Sequence, residues 1–154
     1  EIYDEAIHIW VENNLSKTDI KTAPHPGFPT DMQPQISTVL SVSTGTSLIL
    51  EDIWDHRFNY VDELRRMKAN IKVEQSMAIV EGVPTLSGAK VTATDLRAGA
   101  ALIIAALVAK GITEIANIEF IERGYEDIQN KLKGLNADIE KIYFPEETET
   151  AALA

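Results

Sequence analysis

The sequence contains no cysteine. Disulfide bonds, thiolate metal sites and a thiol nucleophile are therefore excluded within its 154 residues. The three histidines, His8, His25 and His56, do not show metal-ligand spacing, so no metal site is predicted. Basic residues are also few, with 14 against 24 acidic ones and a formal charge of −10 at pH 7. That balance argues against nucleic acid and anionic membrane surfaces as partners.

Long hydrophobic runs and cofactor motifs are absent as well. The longest apolar run, Ala98 to Ala109, has 12 residues, fewer than the roughly 20 that a membrane helix needs, and it predicts a helix buried on all sides. No GxGxxG motif follows a strand, and Gly82 to Lys90 departs from the phosphate-loop pattern, so no cofactor is predicted. No signal peptide opens the chain, and the first residue is Glu1 rather than methionine; we therefore expect a fragment of a longer protein.

The most restricted stretch is Thr22 to Gln35, TAPHPGFPTDMQPQ, which carries several prolines. Each proline fixes its own φ and disfavours helix at the residue before it, so residues 22–28 are predicted to run as an extended connector. Thr30 and Gln33 then match a capping box, with Asp31 in the first helical turn. Taken alone, Asp31 could simply complement the helix dipole, worth about 0.3–1 kcal/mol.

The remaining pattern predicts strands and helices in alternation. Apolar alternation and turn residues place the predicted strands at residues 6–11, 47–53, 70–74, 77–80, 112–118 and 137–142. Predicted helices cover residues 31–43, 61–67, 98–109 and 127–135, with Asn59 as the cap of the second. This order predicts a mixed α/β (α+β) fold of repeated βαβαββ-type units, with the apolar helices inside and the sheets outside.

An internal duplication supports this unit. The helix opening TD recurs at Thr30 and Thr94, 64 residues apart, and the arginine after the next strand recurs at Arg57 and Arg123, 66 residues apart. We therefore predict repeats at about residues 23–82 and 83–144, with residues 1–22 as the remnant of another. Together these form one partial globule, 1–145. Residues 146–154 have nothing to bury and should fray.

The duplication also places charged residues at equivalent positions. Asp31 and Asp95 stand at the two helix starts, and Arg57, Arg97 and Arg123 follow close to a helix start or a strand end. Helix N-termini and arginines favour anions, so the five residues predict a site for phosphate or carboxylate groups. Alternatively, they could simply pair with one another as structural ion pairs.

Four segments carry a family resemblance that runs from about Asp19 to Ile142. They read PHPGFPTDMQ, RFNYVDELRRMKANIKVE, TLSGAKVTATDLRAGAAL and ERGYEDIQNKLKGLNADIEKI. The chain resembles the C-terminal portion of the UDP-N-acetylglucosamine enolpyruvyl transferases, also called UDP-N-acetylglucosamine 1-carboxyvinyltransferases. The resemblance implies the family's inside-out α/β fold, in which two globules of three repeats each close on the substrate. This chain would be an incomplete C-terminal globule.

The resemblance also implies an activity, namely transfer of enolpyruvyl from phosphoenolpyruvate to the 3-hydroxyl of UDP-N-acetylglucosamine. It implies Asp31 as the base and Asp95 as a second catalytic residue. It also implies Ile53 at the uridine site, and Arg57, Arg97 and Arg123 as substrate-binding residues of the closed active site. The reaction would serve cytoplasmic peptidoglycan precursor synthesis, and through it cell wall biogenesis, cell shape and cell division. The fragment alone should be inactive because the family's proton donor, usually a cysteine, lies in the other globule. Its uncovered apolar surface predicts association with another copy.

One departure and two alternatives accompany this interpretation. The family usually has ENRF where this chain has DHRF, residues 55–58, so local packing there is expected to differ. The shikimate-pathway enolpyruvyl transferase shares the fold and the phosphoenolpyruvate chemistry. A non-catalytic binding module built on the same repeat would also satisfy the pattern.

Overall fold

The computed structural model describes residues 5, 7–12 and 14–143. The strands are β1 (Ile20–Lys21), β2 (Thr46–Leu50), β3 (Asn70–Glu74), β4 (Met77–Glu81), β5 (Lys90–Thr92) and β6 (Glu114–Ala116). The helices are α1 (Gln33–Ser41), α2 (Val61–Arg66), α3 (Leu96–Val108), α4 (Glu119–Glu122) and α5 (Ile128–Gly134). Two short 3₁₀ turns, Thr30–Met32 and Arg57–Tyr60, precede α1 and α2.

The strands form two separate sheets. The first has the order β1-β2-β4-β3, in which β1 is parallel to β2 and the other pairs are antiparallel. The predicted hairpin is confirmed as β3 and β4, joined at Gln75, whose φ of 55° supplies the left-handed turn. The second sheet is the parallel pair β5 and β6. Parallel pairing requires a crossover, and α3 provides it.

Helices α1 and α3 pack against each other at the centre of the molecule. Their contact depends on small side chains: Ala98, Ala101 and Ala105 of α3 are fully buried, and the Thr38 hydroxyl of α1 donates to the Ala101 carbonyl at 3.3 Å. The mixed α/β architecture with the long helices inside is confirmed. The repeat boundaries at residues 23–82 and 83–144 stay a prediction.

Helix α3 is less enclosed than its apolar sequence predicted. Its first turns are buried, but Leu107 and Val108 in the last turn are 47% and 50% exposed. The reason is length: α1 has 9 residues and α3 has 13, so at 1.5 Å per residue α1 is too short to cover its partner from end to end. No helix in the described part of the chain is long and apolar enough to cross a membrane.

Two predicted strands are wrong within the described residues. Residues 8–11 lie in no strand, and Ile9 and Val11 are 79% and 63% exposed. Residues 137–142 are likewise irregular, and Ile142 is 64% exposed. Apolar alternation marks a segment that could pair, but a ladder needs a neighbouring strand, and neither segment lies in either sheet. Ala6 and the predicted frayed tail, 146–154, lie outside the described residues.

The proline segment at residues 22–28 is a compact turn rather than the extended connector that was predicted. Gly27 N–H donates to the Pro24 carbonyl at 2.8 Å, and Ala23 N–H donates to the Phe28 carbonyl at 3.0 Å. A side chain on Gly27 would place its Cβ 2.5 Å from the Ala23 Cβ, so glycine allows the loop to close. Prolines fix φ alone, and hydrogen bonds between the loop's ends decide its course.

Candidate functional site

The site is built around the 3₁₀ turn that contains Thr30 and Asp31. Arg57, at the start of the second 3₁₀ turn, donates from Nε to Thr30 Oγ1 at 3.1 Å and from Nη2 to Asp31 Oδ1 at 3.2 Å. The arginine side chain is 9% exposed, and its guanidinium lies 5.2 Å from the centre of the Trp54 ring. Arg57 is therefore a fixed cation beneath a carboxylate that is 53% exposed.

The predicted capping box is wrong because both of its side chains have other partners. Thr30 Oγ1 accepts from Arg57, and Gln33 Oε1 accepts from the buried Tyr60 hydroxyl at 3.0 Å. Neither helical segment has a side-chain cap: the 3₁₀ turn follows Pro29 and α1 follows Met32. Charged and phenolic donors compete well with backbone N–H groups for these oxygens.

Arg97, in the first turn of α3, forms a bidentate ion pair with Asp31. Its Nε lies 2.9 Å from Asp31 Oδ1 and its Nη2 lies 2.8 Å from Oδ2. The Arg97 side chain is 37% exposed, so this pair faces solvent while the Arg57 contact lies behind it. Two arginines thus share one carboxylate, and the cluster carries a net positive charge in an otherwise acidic chain.

These contacts shift the protonation equilibria of the cluster. The hydrogen bonds from Arg97 hold the pKa of Asp31 below its usual value against the opposing effect of partial burial, and the charges of both arginines add to the lowering. The same hydrogen bonds raise the pKa of Arg97. Asp31 is therefore a carboxylate at neutral pH and cannot act as a proton donor there.

Asp95 has a different environment from Asp31. Its Oδ1 accepts from the backbone N–H groups of Arg97 and Ala98 at 2.7 and 2.9 Å, which makes it the N-cap of α3. Its Oδ2 accepts from the Asn59 amide at 3.2 Å. Asn59 was predicted to cap α2, and that prediction is wrong because its side chain reaches across to Asp95 instead. Both oxygens of Asp95 are thus engaged by the protein.

Ile53 lies in the loop after β2 with 42% of its surface exposed. Its N–H donates to Oε1 of Glu51, a residue that is only 4% exposed. The same loop continues through His56, whose φ of 59° lies in the left-handed region, where asparagine and histidine are both enriched. His56 can therefore adopt the conformation of this turn in place of the family's asparagine. The departure at residues 55 and 56 leaves Arg57 in contact with Asp31.

Arg123 is a predicted site residue whose side chain the structure does not join to Asp31. It follows α4, is exposed, and stacks on Phe120 with its guanidinium 5.2 Å from the ring centre. Within the described residues, neither a hydrogen bond nor an ion pair joins it to Asp31 or Asp95. Helix α4 can lie close to α3 because Gly99 has no side chain: a Cβ there would approach Ile121 Cγ1 within 2.4 Å. The alternative of mutual ion pairs thus describes Asp31, Arg57 and Arg97, but neither Asp95 nor Arg123.

A buried polar network joins α1 to the 3₁₀ turn that begins at Arg57. The Tyr60 hydroxyl donates to Gln33 Oε1 and accepts from the Ser37 hydroxyl, whose oxygen lies 2.6 Å from it and 2.9 Å from the Gln33 carbonyl. Burial raises the pKa of Tyr60 far above its usual value. Sequence reasoning missed this network, because serine and glutamine in a helix are more typical of a solvent-facing side.

The arrangement can accept a proton at Asp31 and hold anionic groups at Arg57 and Arg97, close to the positive N-terminal ends of α1 and α3. Among residues 5, 7–12 and 14–143, no group of three His, Asp or Glu side chains is placed to hold a metal ion.

Comparison with known proteins supports the family resemblance. The chain is 54% identical over 144 residues to UDP-N-acetylglucosamine 1-carboxyvinyltransferase from Halothermothrix orenii, a match that covers 92% of this chain and 34% of that protein. It is 54% identical over 138 residues to UDP-N-acetylglucosamine 1-carboxyvinyltransferase 2 from Clostridium acetobutylicum, covering 90% of this chain and 33% of that one. The resemblance seen in the four sequence segments is confirmed, and the chain spans about a third of the length of these relatives.

A solved enolpyruvyl transferase has a similar fold. The enolpyruvyl transferase NikO from Streptomyces tendae superposes with a TM-score of 0.79 at 31% identity, covering 88% of this chain and 31% of that one. Residues 3–132 match the family model described as EPSP synthase (3-phosphoshikimate 1-carboxyvinyltransferase). That match extends over most of the sequence and over every residue of the Asp31 cluster. The chain therefore belongs to the EPSP synthase family of carboxyvinyltransferases.

Proposed function

We propose that this chain is part of an enzyme that transfers the enolpyruvyl group of phosphoenolpyruvate to the 3-hydroxyl of UDP-N-acetylglucosamine. The observation that carries the proposal is the Asp31 carboxylate held between Arg57 and Arg97. It combines a proton acceptor with two cations on one face, as the chemistry requires. The identity of about 54% to UDP-N-acetylglucosamine 1-carboxyvinyltransferases supports the choice of acceptor.

Asp31 is the candidate base in this proposal. In the first step the 3-hydroxyl oxygen attacks C2 of phosphoenolpyruvate, its proton passes to Asp31, and C3 gains a proton from a donor elsewhere. In the second step C3 loses a proton, the phosphate leaves from C2, and an enol ether remains. The pair with Arg97 holds the pKa of Asp31 low and so weakens it as a base; in this scheme Arg97 turns away from Asp31 as substrate binds. Breaking that pair removes the largest cause of the lowered pKa.

The arginines are the candidate anion ligands. Arg57 is held from two sides and stays in place as a fixed positive charge, whereas the more exposed Arg97 can turn from Asp31 to the carboxylate or phosphate of phosphoenolpyruvate. Asp95 would hold the start of α3 that carries Arg97. Ile53 would contact the uridine, and Arg123 would join the site when the substrate-bound enzyme closes.

The cellular role follows from the product. Enolpyruvyl transfer to UDP-N-acetylglucosamine would supply a peptidoglycan precursor in the cytoplasm, and the enzyme would thereby support cell wall biogenesis, cell shape, the cell cycle and cell division. Both substrates carry phosphate, which is consistent with a site formed by arginines and helix N-termini.

The two alternatives remain testable beside this proposal. A shikimate-type acceptor is not favoured, since the relatives at about 54% identity are named for UDP-N-acetylglucosamine. A non-catalytic module would keep the fold without turnover.

The test uses an extended enzyme, in which this chain is joined to the part of the Halothermothrix relative that it does not match. Phosphate release from phosphoenolpyruvate is measured with UDP-N-acetylglucosamine or with shikimate 3-phosphate as acceptor. The proposal predicts release with the nucleotide sugar alone. Release with shikimate 3-phosphate alone would favour the alternative acceptor, and release with neither would support the non-catalytic module.

A further inference from the structure

Glu51 is a buried acid that the reaction scheme does not use. It follows β2 directly and is 4% exposed. Its Oε1 accepts three hydrogen bonds: one from the Thr22 hydroxyl at 2.9 Å and one each from the N–H groups of Ile53 and Trp54 at 3.0 Å. One carboxylate oxygen therefore determines how the chain turns after the strand.

Thr22 extends this arrangement to the loop that leads to Asp31. Its hydroxyl donates to Glu51 and accepts from the N–H of Asp52 at 2.9 Å, while its own N–H donates to the Leu50 carbonyl at 2.9 Å. Thr22 is fully buried and stands at the beginning of the proline turn. The Thr22 and Glu51 pair thus ties two loops together, one ending at Asp31 and the other at Arg57.

The second oxygen of Glu51 argues against a role in stability alone. Glu51 Oε2 is buried and has no hydrogen-bond partner among the residues that the structure describes. A buried, unpaired carboxylate oxygen costs free energy, and an apolar residue of similar size would avoid that cost. Two of the three hydrogen bonds to Oε1 fix backbone N–H groups that an apolar residue could not hold.

The loop that Glu51 fixes carries the candidate ligands. Ile53 and Trp54 are 42% and 61% exposed although their backbone is tied to a buried group. Trp54 stacks on Arg57, and the two line a surface pocket of about 340 Å³ together with Glu51. Exposed apolar side chains on a fixed backbone lose little freedom when they contact a ligand, which favours binding.

We propose that Glu51 is a positioning residue, which fixes residues 53–57 so that Ile53, Trp54 and Arg57 present a preformed surface to the nucleotide sugar. The role rests on the proposed function, because the ligand is the acceptor substrate named there. Glu51 acts through the loop and does not touch the reacting atoms.

The first test measures the loop without any ligand. Trp10→Phe removes one of the two tryptophans and leaves Trp54 as the reporter of acrylamide quenching. Glu51→Met removes the acceptor at similar volume, and Glu51→Gln keeps one acceptor oxygen. We expect stronger quenching of Trp54 in Glu51→Met and near-parental quenching in Glu51→Gln and in the control Glu114→Met, an exposed acid paired with Lys90.

Thr22→Val provides a second route should Glu51→Met fail to fold, since it removes the bridging hydroxyl and keeps the shape of the side chain. It should raise the quenching of Trp54 as well. Unchanged quenching in a folded Glu51→Met, or in Thr22→Val where Glu51→Met does not fold, would overturn the proposal.

The second test measures kinetics in the extended enzyme. Glu51→Met should raise KM for UDP-N-acetylglucosamine roughly fivefold or more, because the side chains of Ile53 and Trp54 lose their preformed positions. The value of kcat should change less. Glu51→Gln should restore most of the affinity. A fall in kcat at unchanged KM would contradict a positioning role. Inactivity of the unsubstituted extended enzyme would refute the proposed function, whereas the quenching experiment would still decide whether Glu51 fixes the loop.

Discussion

Asp31 and Arg97, 66 positions apart in the chain, form a bidentate ion pair that joins the start of one central helix segment to the first turn of the other. The hydrogen bonds of this pair are the largest cause of the lowered pKa of Asp31. The pair also separates two kinds of arginine in one cluster. Arg57 is buried and held in place, whereas Arg97 is partly exposed and pairs with Asp31.

The two arginines should therefore differ in their contribution to stability. Arg57→Lys removes the hydrogen bond to Thr30 and the stacking on Trp54 from a buried position, and it should lower the free energy of unfolding by about 1–3 kcal/mol. Arg97→Lys changes a more exposed pair and should cost less than about 1 kcal/mol. Urea unfolding of both variants measures the difference, and equal losses would contradict the distinction.

The pH dependence of stability should carry the signature of Asp31. Its pKa is lower in the folded chain than in the unfolded one, so its contribution is present above the unfolded pKa of about 3.9 and is lost as pH falls through the folded value. The difference in stability between the parent and Asp31→Asn should therefore be constant near neutrality and shrink below about pH 4. Unfolding curves between pH 7 and pH 3 test this, and a constant difference throughout would refute it.

The sequence predicted the helices and the β3–β4 hairpin better than it predicted the contacts of polar side chains. Hydrophobic periodicity located α1, α2, α3, α5 and the β3–β4 hairpin, because burial of apolar faces is a local pattern. It failed at residues 8–11 and 137–142, where the same alternation occurs without a neighbouring strand. Pairing depends on the rest of the fold and cannot be read from one segment.

The site shows the same limit. The duplication indicated Asp31, Arg57 and Arg97 as residues of an anion site, and the structure places these three in contact. The capping roles assigned to Thr30 and Asn59 were wrong because partners distant in sequence take their side chains. Glu51 was missed entirely. An acid directly after an apolar strand was its one available signal, and that signal does not distinguish a buried carboxylate from an exposed one.

The chain by itself should be catalytically silent. It spans about a third of its relatives and contains no cysteine, the proton donor that the resemblance to the UDP-N-acetylglucosamine enolpyruvyl transferases implies. Incubation of the chain with both substrates should release no phosphate, whereas the extended enzyme should. Release that depends on UDP-N-acetylglucosamine with the chain alone would show that the described residues suffice for turnover.

Association of the isolated chain is a further prediction, based on the apolar end of α3. Leu107 and Val108 are about half exposed and Ile112 is 85% exposed, and covering such surface stabilises by about 25 cal/mol per Å². Light scattering should give a mass above 17.0 kDa. Val108→Ser with Ile112→Ser should weaken association more than the control Leu48→Ser, which changes an exposed residue of β2. A monomer at every concentration tested would contradict the prediction.

The role of Asp31 is tested most directly by turnover of the Asp31→Asn variant in the extended enzyme, with phosphate release as the readout. Asparagine keeps the size of the side chain and removes the proton acceptor, so turnover should fall roughly 10²–10⁴-fold while the variant stays folded. Asp62→Asn, which alters an exposed pair with Arg65, serves as the control and should remain active. Activity of Asp31→Asn within a few-fold of the parent would show that Asp31 is a structural ion-pair partner and not the base.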